Sequence, residues 1–148
     1  VRVFIVNGGV FRQASVDGAF QDGVLMEALL DLKRSGVGVV FFCSEDSPSV
    51  RLVAQGFNSI FVGSSRNGTR RESYLDVKRL LGVSDGEIAF FALEEDDLPV
   101  MESVCFSAVP STADLSVKSL AYYVAHGDLR ASLLEVVRLL LRAKGVLD

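Results

Sequence analysis

The sequence predicts a three-layer α/β fold: a doubly wound, Rossmann-like parallel sheet with helices on both faces. Two observations carry that expectation. Five short runs, at 1–6, 37–43, 59–62, 88–93 and 104–109, are nearly continuous in apolar residues, Val, Ile and Phe above all. Strands buried on both faces have this look, and such strands belong to parallel sheets. Helical patterns lie between the runs, and that β-α alternation is what a doubly wound sheet requires. The chain of 148 residues suits one core, so 1–148 reads as a single domain with no large cap.

The elements follow in order. After the first run, Val16-Asp17-Gly18-Ala19 reads as a small hairpin turn, because Asp-Gly favours positive φ. Asp22 is placed to cap a helix with apolar positions at Val24, Leu25, Ala28, Leu29 and Leu32, stopped by Gly36. Ser47-Pro48 opens the next, with Ser as cap and Pro in the first turn. The Gly/Ser-rich stretch 63–69 reads as a flexible loop. A helix over 71–81 follows, with Gly82 as its stop. Asp97-Leu98-Pro99 starts another. Asp128 caps the last, whose Leu133, Val136, Val137, Leu140 and Leu141 make one apolar face.

Composition narrows the function classes. Hydrophobic residues are 49% and charged residues 23%, which fits a soluble globular protein. A net charge of -4 argues against nucleic acid, whose phosphates need clustered Lys and Arg. No apolar run approaches the ~20 residues that span a bilayer, so no membrane partner is expected. The two cysteines, Cys43 and Cys105, lack CxxC spacing and read as small buried hydrophobes in a reducing compartment. With no visible signal peptide, an intracellular location, cytoplasmic or nuclear, is expected. The opening at Val1 fits a domain cut from a longer chain.

Ligands of doubly wound sheets sit at the C-terminal ends of the strands, and those ends carry a resemblance. Glu94-Glu95-Asp96-Asp97-Leu98-Pro99-Val100-Met101 follows a strand and opens a helix. It resembles the GDDxxDLPVM motif of the 3-deoxy-manno-octulosonate 8-phosphate phosphatases, within the haloacid-dehalogenase-like (HAD-like) superfamily. Ser107-Ala108-Val109-Pro110, Ala113-Asp114 and Tyr123-Val124 match the family's next stretch in order and spacing. Upstream, Gly8-Gly9-Val10-Phe11 sits where the family has DGVL, and Leu32 to Val37 matches its LxKSGI. The C-terminal domain of CMP-sialic acid synthetases (N-acylneuraminate cytidylyltransferases) is similar too.

The resemblance implies a definite chemistry. In the family, the first Asp of DxDG attacks phosphorus, and the second protonates the leaving oxygen and later activates water. Mg²⁺ bridges the first Asp, the phosphate and an Asp of the fourth motif. This chain departs at most of those positions. Anchored on Gly9-Val10, the nucleophile position holds Val6 and the acid/base position Gly8; shifted by one, they hold Asn7 and Gly9. Neither register supplies a carboxylate, since Asp17 is the first acidic residue of the chain. The second motif's hydroxyl falls at Cys43, with Ser44 beside it, and the third motif's Lys near Arg70 or Arg71. Of the fourth motif, Leu93, Glu94 and Asp97 hold the acidic positions.

Plainer readings accompany these residues. Glu94 to Asp97 reads as a solvated helix N-terminus with Asp97 as cap. Gly8-Gly9 lacks the GxGxxG or GK[ST] context of a phosphate loop. A Cys43–His126 nucleophile pair would need the only histidine at the ligand edge, whereas His126 reads as part of the exposed loop before the last helix. Tyr122 and Tyr123 read as packing at a strand start. The expectation is therefore a catalytically inactive phosphatase-like module, with no catalytic residue, cofactor or bound metal, and Glu94 and Asp97 as remnants of a metal site. It would serve assembly as a homo-oligomer, dimer or tetramer, or regulation, as such a domain does in a cytidylyltransferase. One alternative is an active Mg²⁺-dependent phosphatase of a keto-sugar phosphate. Another is a non-catalytic binder of a small anionic sugar phosphate.

Overall fold

The computed structural model describes residues 1–12, 23–43, 54–56, 59–63 and 69–145. In chain order these form β1 (Val3–Asn7), α1 (Gly9–Arg12), α2 (Gly23–Arg34), β2 (Gly38–Cys43), β3 (Ile60–Gly63), α3 (Arg70–Leu81), β4 (Ile88–Phe91), α4 (Leu98–Met101), β5 (Phe106–Pro110), α5 (Leu115–Leu120), β6 (Tyr123–Ala125) and α6 (Leu129–Ala143). The hairpin turn at 16–19, the caps Asp22 and Ser47, and most of the loop 63–69 lie outside the described residues.

The strands make one six-stranded sheet in the order β3-β2-β1-β4-β5-β6. Every neighbouring pair is parallel. The sixth strand, Tyr123–Ala125, is not one of the five apolar runs but begins where Tyr122 and Tyr123 read as a strand start; it is short and partly exposed at Val124. The short helix α5 before it is absent from the expected elements, and the helix starting near Asp97 is a single turn.

Both faces of the sheet are covered, which explains the continuous apolar runs. Phe4, Val6, Phe41, Cys43 and Phe91 face one layer, closed by α2 and α6 through Leu25, Leu29, Leu32, Leu133, Val136 and Val137. Val3, Ile5, Val40, Phe42 and Phe90 face the other, closed by Tyr74 and Val77 of α3, Val100 of α4 and Val117 of α5. Each fully buried Phe contributes roughly 1.5–3 kcal/mol. Cys105 departs from expectation: it is exposed, in the turn before β5, with its thiol 3.1 Å from the Ile88 carbonyl.

Helix α3 is the element that brings a cation to the ligand end of the sheet, because it begins at Arg70. Its N-terminus is fixed by the Thr69 hydroxyl, which accepts from the Glu72 N–H at 3.1 Å. Its C-terminus ends on Gly82 at φ 64°, where the Gly82 and Val83 N–H groups both donate to the Lys78 carbonyl. A Cβ at Gly82 would touch nothing. Gly82→Ala is therefore expected to act through backbone strain alone, lowering stability by about 1–2 kcal/mol in urea denaturation. An unchanged midpoint would show that the turn relaxes freely.

Candidate functional site

In the strand order, β1 lies between β2 and β4, so the chain winds away from it in both directions. Doubly wound sheets bind ligands in the crevice that this reversal opens at the strands' C-terminal ends. Asn7 is the last residue of β1, and Glu94 to Asp97 lie in the loop and turn after β4. Arg70, first residue of α3, reaches the same point from the helix layer.

The side chains of Asn7, Arg70, Glu94 and Asp97 form one cluster. Asn7 Nδ2 donates to Asp97 Oδ2 at 2.7 Å and lies 3.4 Å from Glu94 Oε1. The Asn7 side-chain carbonyl accepts the Gly9 N–H at 2.8 Å. The amide orientation is therefore forced: its acceptor faces a backbone N–H and its donor faces two carboxylates. Asp97 Oδ2 also accepts the Leu93 and Glu94 N–H groups, at 2.9 and 3.2 Å. Asp97 Oδ1 faces the Arg70 Nε at 3.1 Å, and Arg70 Nη2 meets Glu94 Oε1, also at 3.1 Å. One edge of the guanidinium thus bridges two carboxylates. Its carbon sits 5.8 Å from the centre of the Phe42 ring, a cation–π distance.

Burial sets the electrostatics. The Asp97 side chain is 0% exposed and that of Arg70 is 3%, while Glu94 reaches solvent at 49%. Burial pushes the Asp97 carboxyl above the ordinary aspartate value, against the pull of Arg70 and the N–H donors on Oδ2. Gly9 suits the arrangement, since a Cβ there would crowd Leu93 Cδ1 at 3.0 Å and Asn7 Oδ1 at 3.1 Å.

The expected residues divide accordingly. Val6 points into the apolar layer beneath α2 and α6; Asn7 has the opposite parity and takes the position facing the acids. Two residues on stands Gly9, without a side chain, while Gly8 bonds through its backbone to the Phe42 carbonyl. Cys43 also faces the apolar layer, away from the cluster, and Ser44 lies outside the described residues. Arg70 is buried in the cluster, whereas Arg71 is exposed. Asp97 departs from its expected role as a solvated cap. Its side chain caps no helix ahead of it but turns back to the Leu93 and Glu94 N–H groups, and it is fully buried. His126 is exposed and paired with Glu135 at 3.1 Å, beyond β6 at the far edge from Cys43. Tyr123 packs against the core, but Tyr122 is 77% exposed, flanked by Phe106. The central role of Asn7 has only a faint signal in the sequence: it continues the alternation of Val3 and Ile5.

No family model and no curated protein matches the chain by sequence. Solved structures do match. A 3-deoxy-D-manno-octulosonate 8-phosphate phosphatase from Yersinia pestis superposes with a TM-score of 0.81 at 18% identity, covering 99% of this chain and 84% of that one. The chain has the fold of the HAD-like phosphatases. The same phosphatase from Moraxella catarrhalis, in complex with magnesium, phosphate and KDO, gives a TM-score of 0.80 at 16% identity over 98% of this chain and 88% of that one. A structure from Legionella pneumophila, described as a putative HAD-superfamily hydrolase of subfamily III A, gives 0.82 at 18% identity, over 98% and 84%.

A magnesium ion does not fit this cluster. Mg²⁺ demands oxygen ligands near 2.0–2.1 Å in octahedral array. The two carboxylates instead face N–H groups of Asn7 and Arg70. Among the described residues no group of three or more His, Cys, Asp or Glu side chains is placed to hold a metal.

Removing Arg70 would leave a buried carboxylate without this cation. Arg70→Met is expected to lower stability by about 3–5 kcal/mol. The loss has a pH sign. An aspartate whose folded pKa is raised contributes stability below its unfolded pKa, lost as pH rises through the folded value. Without Arg70 that rise grows, so the deficit should be larger at about pH 8 than at about pH 5. Urea denaturation of both proteins at the two pH values checks this; equal deficits would contradict it.

Proposed function

We propose that this chain is a catalytically silent domain on a phosphatase fold, retained for assembly or regulation rather than turnover. One observation carries the reading: the residue at the end of β1 that faces the acidic loop is Asn7, not a carboxylate. A carboxamide nitrogen has its lone pair delocalised into the carbonyl, and here its N–H groups point at Asp97 and Glu94. It cannot attack phosphorus. Gly9, two residues on, offers no proton to a leaving group.

The resemblance of 94–101, 107–114 and 123–124 supports a finer reading, a C-terminal domain like that of an N-acylneuraminate cytidylyltransferase. Such a domain would assemble as a dimer or tetramer, and a small anionic sugar is the ligand class that the resemblance suggests. No described helix is long and apolar enough to cross a membrane. The phosphatase names of the structural neighbours favour the competing reading, an active Mg²⁺-dependent enzyme on a keto-sugar phosphate.

Turnover separates the two. The purified chain with Mg²⁺ is expected to release no phosphate above buffer from p-nitrophenyl phosphate, 3-deoxy-manno-octulosonate 8-phosphate or sialic acid 9-phosphate. Metal-dependent release that disappears in Glu94→Gln would overturn the silent reading.

A further inference from the structure

We infer that the Arg70 guanidinium is a tethered cation that fills the place of a divalent ion, closing this site to metal and making the domain's stability independent of one. The inference rests on the silent-site reading and deepens it by assigning the charge balance to one residue. Three observations lead to it.

The carboxylates of Asp97 and Glu94 converge on a common point, and the buried one, Asp97, needs a counter-charge there. Arg70 supplies it at 3.1 Å to each, through two nitrogens of one planar group. A guanidinium is the side chain best shaped to bridge two carboxylates, because its N–H donors form a rigid fork.

Asn7 lowers the negative charge that a cation at this point must offset. It is neutral, so among the described residues Glu94 and Asp97 are the acids that Arg70 faces in the cluster. It also presents an N–H at 2.7 Å to the same Asp97 carboxylate. Hydrogens therefore point at Asp97 from Asn7 and at Glu94 from Asn7 and Arg70, and the Arg70 cation itself lies 3.1 Å from the other Asp97 oxygen, where a divalent ion would need room and bare oxygen. Asn7 and Arg70 are thus a matched pair: a carboxamide on β1 goes with a monocation from α3.

The cation is also locked. Arg70 is the first residue of α3, whose start is fixed by Thr69, and its side chain is 3% exposed against Phe42. What a free ion would do by binding, the helix does by position. The cluster joins the ends of β1 and β4 to the start of α3 through side chains alone among the described residues.

Mn²⁺ is the probe, read by electron paramagnetic resonance of the free ion, with thermal unfolding in Mg²⁺ or EDTA alongside. The wild-type chain is expected to leave the free Mn²⁺ signal undiminished and to unfold at the same temperature in Mg²⁺ and EDTA. The double variant Asn7→Asp, Arg70→Ala is expected to remove free Mn²⁺ stoichiometrically and to unfold at a higher temperature with Mg²⁺ than with EDTA. Should that variant fail to fold, the wild-type titration still decides, together with Arg70→Lys, which keeps the charge and is expected to exclude Mn²⁺ as well. Capture of Mn²⁺ by the wild-type chain, or a folded double variant indifferent to metal, would overturn the inference. Capture by the wild type with no phosphate release would leave the silent reading intact, whereas release without captured metal would sink that reading and spare this inference.

Discussion

Asp97 is a carboxylate with no access to water, and the arrangement of the crevice follows from what it takes to keep it there. An isolated buried charge costs several kcal/mol after relaxation, so it must be surrounded by donors or paired. Asp97 has both. One oxygen takes N–H groups from Asn7, Leu93 and Glu94; the other faces the Arg70 guanidinium. These partners come from the end of β1, the loop after β4 and the start of α3. The requirement of one carboxylate therefore fixes three chain segments at the crevice where ligands of this fold class bind.

The same requirement accounts for smaller features. Gly9 has no Cβ because one would crowd Leu93 and the Asn7 side-chain carbonyl. Phe42 lies against the guanidinium, so the cation is packed as well as paired. Glu94 stays half in water and still completes the bridge, which spares the site a second fully buried anion. The polar groups of Asn7, Arg70 and Asp97 thus face one another and Glu94 within the cluster.

Much of the architecture is legible in the sequence because parallel strands covered on both faces leave continuous apolar runs, and because Gly82 and Asp128 mark helix ends by local chemistry. Helix α5 is not, and strand β6 shows only as a strand start at Tyr122 and Tyr123; both are short and partly exposed, with stability drawn from neighbours rather than from their own pattern. At the site, the absence of carboxylates on β1 can be read directly, since no acidic residue precedes Asp17. Which residue faces the acidic loop cannot. Val6 and Asn7 are adjacent and point to opposite faces, so a one-residue ambiguity reverses the answer. Asp97 looks like a helix cap because local sequence shows the turn but not the distant arginine that packs over it. Cys43 sits at the right strand end yet faces the wrong layer, for the same reason of parity.

The central claim is that Arg70 and Asp97 are one unit, each tolerable in the crevice because of the other. A double-mutant cycle measures this most directly: unfolding free energies of the wild type, Arg70→Met, Asp97→Asn and the double variant. Strong coupling is predicted, with the double variant more stable than Arg70→Met alone, because no buried carboxylate at 97 is then left without its cation. Additive effects, or a double variant that loses the sum of both, would contradict it and reduce the pair to two neighbours that happen to touch.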